Sequence, residues 1–419
     1  MTMHVAIIGG GIVGLVSALS LDAVGIKSTV YEAVTEPAPL GVGINLLPHA
    51  VRELAELGLL EELLEIGVAI DDLHYLTSDG QPVWHEPRGL SAGYRWPQIS
   101  IHRGDFQMFL LEKVRQRLGD DAVHMGQEFV ALKQESGPAR ALLRDRRSGQ
   151  EHEIEADLIL GADGIHSAVR RHFYPDEGEP KWNGITLWRA TSPVEGPLGN
   201  AMLWTGWSGQ KFVAYPIGND PKTGEPRLNW ICDVKVTDDG AAPPRDWNRV
   251  GNREDFLPLF SQWKWSEVDV PAIVEQSGQI YEFPMVDRDP LPRWTFGSVT
   301  LAGDAAHPMY PIGSNGATQG ILDARTIAFH LATAPSVDEA LARYEDDRRE
   351  ATARIVLMNR QQGPDRVLDI AKERLGDSGK DLEAVFPHSE RAEIADGYKR
   401  LAGFDPNILN ERDSLSVGR

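Results

Sequence analysis

Hydrophobic positions in the first third of the chain predict alternating strands and helices. His4-Val5-Ala6-Ile7-Ile8 is an apolar run too short for a core helix, and it meets Gly9-Gly10-Gly11-Ile12-Val13-Gly14 before the helix-compatible Leu15-Val16-Ser17-Ala18-Leu19. A second strand, Ser28-Thr29-Val30-Tyr31, ends at Glu32. Residues 48–66 carry helical spacing at Val51, Leu54, Leu57, Leu60 and Leu64, broken at Gly58. Short alternating stretches around Asp79-Gly80 read as a hairpin. The pattern then gives a strand at 99–101, an amphipathic helix at 106–118, strands at 122–125 and 129–132, and the apolar Leu158-Ile159-Leu160 running into Gly161.

The texture changes at Trp182. From there to about Tyr281, tryptophan, β-branched residues and turn formers dominate with little helical period, which predicts a mostly antiparallel sheet in a second domain. Val299-Thr300-Leu301-Ala302 is another buried strand ending in glycine, followed by helices at 319–331 and 337–358. Beyond Arg374 the chain is polar, broken at Gly376, Gly379 and Pro387, and shows no recognisable chemistry. The expectation is an α/β fold: a discontinuous Rossmann-like domain at 1–72, 98–180 and 283–360, a β-sheet-rich domain at 73–97 and 181–282, and a helical, polar C-terminus at 361–419.

Composition narrows the function classes. With 419 residues, 42% hydrophobic and 25% charged, the chain can bury a sizeable core. Forty-two basic against 62 acidic residues give a formal charge of −20, which disfavours nucleic acid and anionic membrane surfaces. Cys232 is the only cysteine, so no intramolecular disulfide and no cysteine-rich metal site can form, and its strand-like neighbours mark it as a core residue. No segment approaches the roughly 18 apolar residues of a membrane span and no basic region precedes the first apolar run, which makes the cytoplasm the default location.

The glycines carry the first chemistry. Gly9 permits a tight turn, Gly11 leaves room for a pyrophosphate, and Gly14 lets the helix close on the strand, while the helix N-terminus offers free N–H groups to phosphates. Glu32, about 20 residues on, can accept from ribose hydroxyls. A second stretch, Gly161-Ala162-Asp163-Gly164-Ile165-His166-Ser167-Ala168-Val169-Arg170, also follows a strand; Asp163 can accept hydrogen bonds and Arg170 and Arg171 bring charge able to meet phosphate, though an ordinary helix cap would look the same. In the third, Gly303-Asp304-Ala305-Ala306-His307-Pro308-Met309-Tyr310-Pro311-Ile312-Gly313-Ser314-Asn315-Gly316, an acid able to take polyol hydroxyls precedes a loop able to face a flat ring with backbone N–H groups.

These three stretches, in this order, resemble the fingerprints of the class A flavoprotein monooxygenases, the family of para-hydroxybenzoate and salicylate hydroxylases, over about residues 5–348. Gly41-Val42-Gly43-Ile44-Asn45, Ser100-Ile101-His102-Arg103 and Met285-Val286-Asp287-Arg288-Asp289-Pro290-Leu291-Pro292 are similar to its phenazine-modifying members. The resemblance implies a tightly but non-covalently bound FAD, with Gly9, Gly11, Gly14 and Glu32 on its ADP half and Arg103 near diphosphate and ribitol. It places Asp304 on the ribitol, and Gly43, Gly313, Asn315 and Gly316 against the isoalloxazine. Asp163 and Gly164 occupy a motif serving FAD and the nicotinamide cofactor, and Pro311 matches a proline whose carbonyl faces substrate.

It further implies NAD(P)H as transient reductant and hydroxylation of a planar aromatic or heteroaromatic substrate by O2 through a flavin C4a-hydroperoxide, with or without decarboxylation, in a monomer or homodimer. No second GxGxxG follows a strand, which separates the chain from flavin enzymes with two nucleotide domains. Trp188, Arg189, Trp204, Tyr215 and residues 307–311 are the candidate pocket; Pro311, Tyr215 and Arg189 are the candidates nearest the chemistry, with Arg189 able to meet a carboxylate. Where some phenol-hydroxylating relatives have a histidine base, Gln210 and Lys211 stand, and Lys211 reads as an exposed strand residue. His307 reads as structural. The rival readings are an FAD oxidase or dehydrogenase and a flavin-binding protein that sequesters an aromatic compound.

Overall fold

The computed structural model describes residues 3–39, 41–135, 137–237, 249–376 and 380–417; the break expected at Gly379 lies outside them. At its centre is a parallel five-stranded sheet in the order Val299–Leu301, Leu158–Gly161, His4–Ile8, Lys27–Glu32, Val123–Met125. The first three of these are neighbours, and all run the same way. Their C-terminal ends therefore deliver the three glycine stretches to one edge of the sheet, where open parallel sheets bind their ligands.

Strands buried on both faces need continuous apolar runs, and Val5, Ala6, Ile7, Leu158, Ile159, Leu160, Val299 and Leu301 are all fully buried. The helices Ile12–Ala23 and Gly316–Thr333 cross in close contact, a Cβ at Gly320 falling 2.4 Å from a Val13 methyl. Helix boundaries extend the sequence expectation by a turn or less: Arg103–Leu118, capped by the His102 ring accepting from Asp105 N–H at 3.3 Å, then Gly316–Thr333 and Val337–Arg360. The helix pair Pro48–Glu56 and Leu60–Ile66 is interrupted at Gly58 as its pattern predicts.

A second sheet has seven strands in the order Tyr281–Asp287, Lys181–Ser192, Pro226–Lys235, Gln210–Asn219, Ala201–Trp207, Asp72–Leu76, Pro82–Pro87. All its pairs are antiparallel except Ala201–Trp207 with Asp72–Leu76. One face packs on Phe256, Phe260, Trp263 and Val270. The opposite face meets Val367, Leu368, Ala371 and Phe386. Cys232 is fully buried on the first face, and burial pushes its thiol well above its ordinary value. A small antiparallel sheet, Gly43–Leu46, Gln98–His102 and Gly67–Ile70, lies between the two large ones.

The polar tail is not a passive appendage. Arg366–Leu375, His388–Leu401 and Pro406–Leu409 are helices whose apolar residues seat on the second sheet and around Tyr398 and Phe404. Among the described residues no helix is long and apolar enough to cross a membrane, and no cluster of His, Cys, Asp or Glu is arranged to hold a metal.

Candidate active site

The turn after His4–Ile8 shows two glycines required by sterics and one that is not. Gly9 has φ +109°, and a Cβ there would fall 2.4 Å from the Ala162 carbonyl oxygen; at Gly14 it would fall 1.9 Å from the Gly9 oxygen. Gly11 has φ −74°, which any residue adopts, and a Cβ there would meet nothing within 4 Å. Protein leaves that space empty, and helix Ile12–Ala23 begins beside it with no side-chain cap, so its first N–H groups face the gap. Glu32 borders the same turn, its carboxylate accepting from Gly10 N–H at 2.6 Å and Val34 N–H at 2.7 Å.

Arg103 and Asp304 stand in the cleft that continues from this turn. Both are exposed, and neither side chain hydrogen-bonds a described residue. Each is nevertheless ringed by protein. Burial draws the Arg103 guanidinium below its ordinary value, Arg189 adding to this and Asp304 opposing it. Burial raises the Asp304 carboxyl, against the pull of His307 and Arg103. Groups that are reachable but desolvated form the walls of a deep cleft.

Behind Asp304 the turn is fixed by fully buried Asp323, which accepts from Gly303 N–H at 2.9 Å, His307 Nε2 at 2.5 Å and Arg348 Nε at 2.8 Å. His307 therefore holds the loop and is itself buried.

Gly43 sits where the small sheet meets the large one. A Cβ would fall 2.7 Å from Asn229 and 2.8 Å from Ile217. Its N–H donates to Asn229 Oδ1 at 2.7 Å, and its carbonyl accepts from both Arg189 Nη2 and Tyr215 Oη at 2.9 Å. Burial pushes the Tyr215 phenol up to about 12, so it stays a donor at every working pH. Arg189 and Tyr215 thus converge with Gly43, and both act on its backbone.

The loop at 310–316 closes the cleft from the other side. Pro311 is exposed; Ser314 adopts a left-handed φ of +58°, uncommon for a residue with a side chain. Gly313, at φ +71°, leaves no room for a Cβ, which would fall 2.1 Å from the Tyr398 hydroxyl oxygen. Asn315 is buried and donates to Gly313 O at 3.1 Å and Tyr398 Oη at 2.8 Å. Asn359 Nδ2 donates to the Tyr310 and Ile312 carbonyls, both at 3.2 Å. Gly316 opens an uncapped helix and has nothing within 4 Å of a would-be Cβ.

Asp163 accepts from Ser167 Oγ at 2.5 Å, Ala168 N–H at 2.7 Å and Val169 N–H at 3.2 Å, and so caps Ala168–Phe173. Gly164, at φ +78°, has open space beside it.

Three expectations require correction. Arg170 does not offer its charge to a phosphate: it is buried, pairs with Glu177, and donates to the Ala305 and Ala306 carbonyls at 3.1 and 3.0 Å. Lys211 is not exposed but buried, paired with Asp233 at 3.2 Å and with Asp365, a partner that only the fold brings near. Trp188 does not line the cleft, because strand alternation turns it toward Phe256, with ring centroids 5.1 Å apart, while Leu187 and Arg189 face the other way.

Trp204 does line a small cavity, together with Gly313, Ser314 and residues the sequence did not single out: Tyr75, Arg88 and Lys399. No local motif marks these three. Helical periodicity after residue 388 was the available signal for Tyr398 and Lys399.

An extended dinucleotide carrying a polyol and a flat ring fits this lining. Space and free N–H groups lie beside Gly11, an unpaired cation and acid follow at Arg103 and Asp304, and strained backbone flanked by Gly43 and Gly316 ends the cleft.

Comparison with known proteins agrees. A family model described as an FAD binding domain matches residues 2–359. Phenazine 1,6-dicarboxylic acid hydroxylase PhzS of Lysobacter antibioticus is 42% identical over 363 residues, 85% of this chain and 89% of the relative. 3-Hydroxybenzoate 6-hydroxylase 1 of Aquipseudomonas alcaligenes is 31% identical over 370 residues, 85% and 88% of the two chains. The structure of Klebsiella pneumoniae HpxO complexed with FAD and uric acid superposes with a TM-score of 0.74 over 97% of this chain and 96% of that one, at 22% identity, and shares the fold. The chain belongs to the FAD-binding class A aromatic monooxygenases and is an aromatic hydroxylase.

Proposed function

We propose that the substrate is a planar heteroaromatic carboxylate of the phenazine class, hydroxylated with or without loss of its carboxyl group. The observation that carries this reading is the 42% identity to a phenazine dicarboxylate hydroxylase across 85% of the chain. When bound, FAD takes a hydride from NAD(P)H and activates O2 for transfer of one oxygen atom to the ring.

The chain's own residues bind and orient. Gly9, Gly11, Gly14 and Glu32 would hold the ADP half, Arg103 the diphosphate and Asp304 the ribitol. Gly43, Gly313, Asn315 and Gly316 would bear on the isoalloxazine. Asp163 would act through the turn it caps, leaving Gly164 open to the nicotinamide cofactor. Arg189 and Tyr215 are positioning residues that fix the Gly43 carbonyl, and the exposed Pro311 would border the substrate. Tyr215, as a neutral donor, is not a base for substrate deprotonation, in keeping with a ring that needs no phenol ionisation. A cytoplasmic monomer or homodimer completes the proposal.

The test is NAD(P)H consumption by the flavin-loaded protein across phenazine carboxylates, hydroxybenzoates and hydroxynicotinate, with product masses. A phenazine product carrying one added oxygen supports the reading. Turnover confined to monocyclic acids, or peroxide alone from every compound, overturns it.

A further inference from the structure

The cavity beside Gly313 and Ser314 has the chemistry of an anion pocket. It is partly open and small, about 20 Å³, enough for one or two water-sized atoms and far too little for a ring. Its walls come from the second sheet, the segment after it and the C-terminal helix His388–Leu401.

Glu86 is buried within it and ion-pairs two cations, Lys399 at 2.8 Å and Arg88 at 3.6 Å. The other acid near Lys399, Asp396, is 3.6 Å away and half-exposed on the solvent side. Two partly buried cations therefore share one buried carboxylate. The Arg88 contact is also longer than a hydrogen bond, and Arg88 Nε is buried with no partner. On the same cavity wall, Trp204 Nε1 is a second buried donor without a partner. What sets these two apart from other unpartnered donors of the chain is that both belong to the lining of one cavity, where a single acceptor would relieve a cost of about 1–3 kcal/mol each.

We infer that this cavity is the carboxylate subsite of the substrate site, with Arg88 Nε–H and Trp204 Nε1–H donating to one carboxylate while the substrate ring lies outside, along Gly313 and Ser314. The inference rests on the aromatic-carboxylate reading above and adds the residues that select the acid. Glu86 holds Arg88 in place without saturating it. The pocket has room for one carboxylate only, so a second acid group on the ring stays in the open cleft.

The FAD-loaded full chain is titrated with phenazine-1-carboxylate, phenazine-1,6-dicarboxylate and uncharged phenazine, following the flavin absorbance. The wild type is expected to bind both acids at least about 10-fold tighter than phenazine, and the two acids within about 3-fold of each other. Arg88→Met collapses the acid-to-phenazine ratio to near 1 and Arg88→Lys restores part of it. Trp204→Phe, which keeps an aromatic six-membered ring and removes the N–H together with the fused five-membered ring, lowers the ratio about 5-fold and carries the test if Arg88→Met loses FAD. An unchanged ratio in FAD-retaining Arg88→Met and in Trp204→Phe overturns the subsite and leaves the hydroxylase reading standing, the cavity then holding a structural water. Wild type that perturbs its flavin with none of the three compounds overturns the phenazine reading and the subsite together.

Discussion

Gly11 separates cofactor binding from folding more cleanly than any other position in the cradle. Its φ of −74° suits any residue, and the space around a new Cβ is free of protein to 4 Å. Gly11→Val should therefore change the stability of the deflavinated protein by less than about 1 kcal/mol, since the weaker helix cap is offset by lost freedom in the unfolded chain. The branched side chain would occupy the pyrophosphate space, and a loss of at least about 100-fold in FAD affinity corresponds to about 2.7 kcal/mol. Saturating FAD raises wild-type stability by about 2.7 kcal/mol at 100 times Kd, whereas the variant should gain at most about 0.4 kcal/mol at that concentration and show a correspondingly small rise in Tm. Gly14→Ala is the contrast: its Cβ would lie 1.9 Å from the Gly9 oxygen, so the deflavinated protein itself should lose about 1–3 kcal/mol. The assay is thermal denaturation of both deflavinated variants with and without FAD. Wild-type FAD affinity in Gly11→Val, or an equal loss of intrinsic stability in the two variants, would refute the assignment of that space to the cofactor.

Tyr215→Phe leaves the Gly43 carbonyl with Arg189 as its side-chain donor and should cost about 0.5–1.5 kcal/mol, read as a shifted flavin absorbance and a lower kcat while phenazine affinity holds. Lys211→Met strands two buried carboxylates and should lower stability by about 3–5 kcal/mol in denaturant melts; the triple variant that adds Asp233→Asn and Asp365→Asn should recover much of it. Asp323 is pressed upward by burial, but His307 and Arg348 hold its carboxyl below its ordinary 3.8. A depressed folded-state value stabilises the native protein above pH 4 and loses that contribution as pH falls through the lower folded value. Wild-type Tm should thus decline below about pH 4, and Asp323→Asn should flatten that part of the profile.

How much was legible in advance follows from where each residue's constraint lies. Gly14 and Glu32 answer to contacts within the first strand-turn-helix-strand stretch and Gly9 to its own φ of +109°, so their spacing announces them. The order of the three glycine stretches reveals the cleft because adjacent parallel strands must end at one edge. Lys211 was misread because its surroundings are set by Asp365, 154 positions later. Trp188 was misplaced because composition cannot fix strand parity in a sheet covered on both faces. Arg88 and Lys399 had no chemical motif of their own: a lone cation just past a strand and another on an amphipathic helix look like surface until the fold pairs both with Glu86.

The loop at 310–315 is held by the two hydrogen bonds that Asn359 donates to its carbonyls and the one that the Tyr398 hydroxyl accepts from Asn315, and both holding residues lie at or beyond 359, where the match to the FAD-binding family model stops. The nucleotide end is thus encoded by one stretch of sequence and the backing of the ring end by another. A lineage can redraw the last 60 or so residues, and with them the shape presented to a substrate, while the cradle that secures the cofactor is inherited untouched. Grafting the tail of one relative onto the body of another is accordingly a direct route to chimaeras with altered substrate choice.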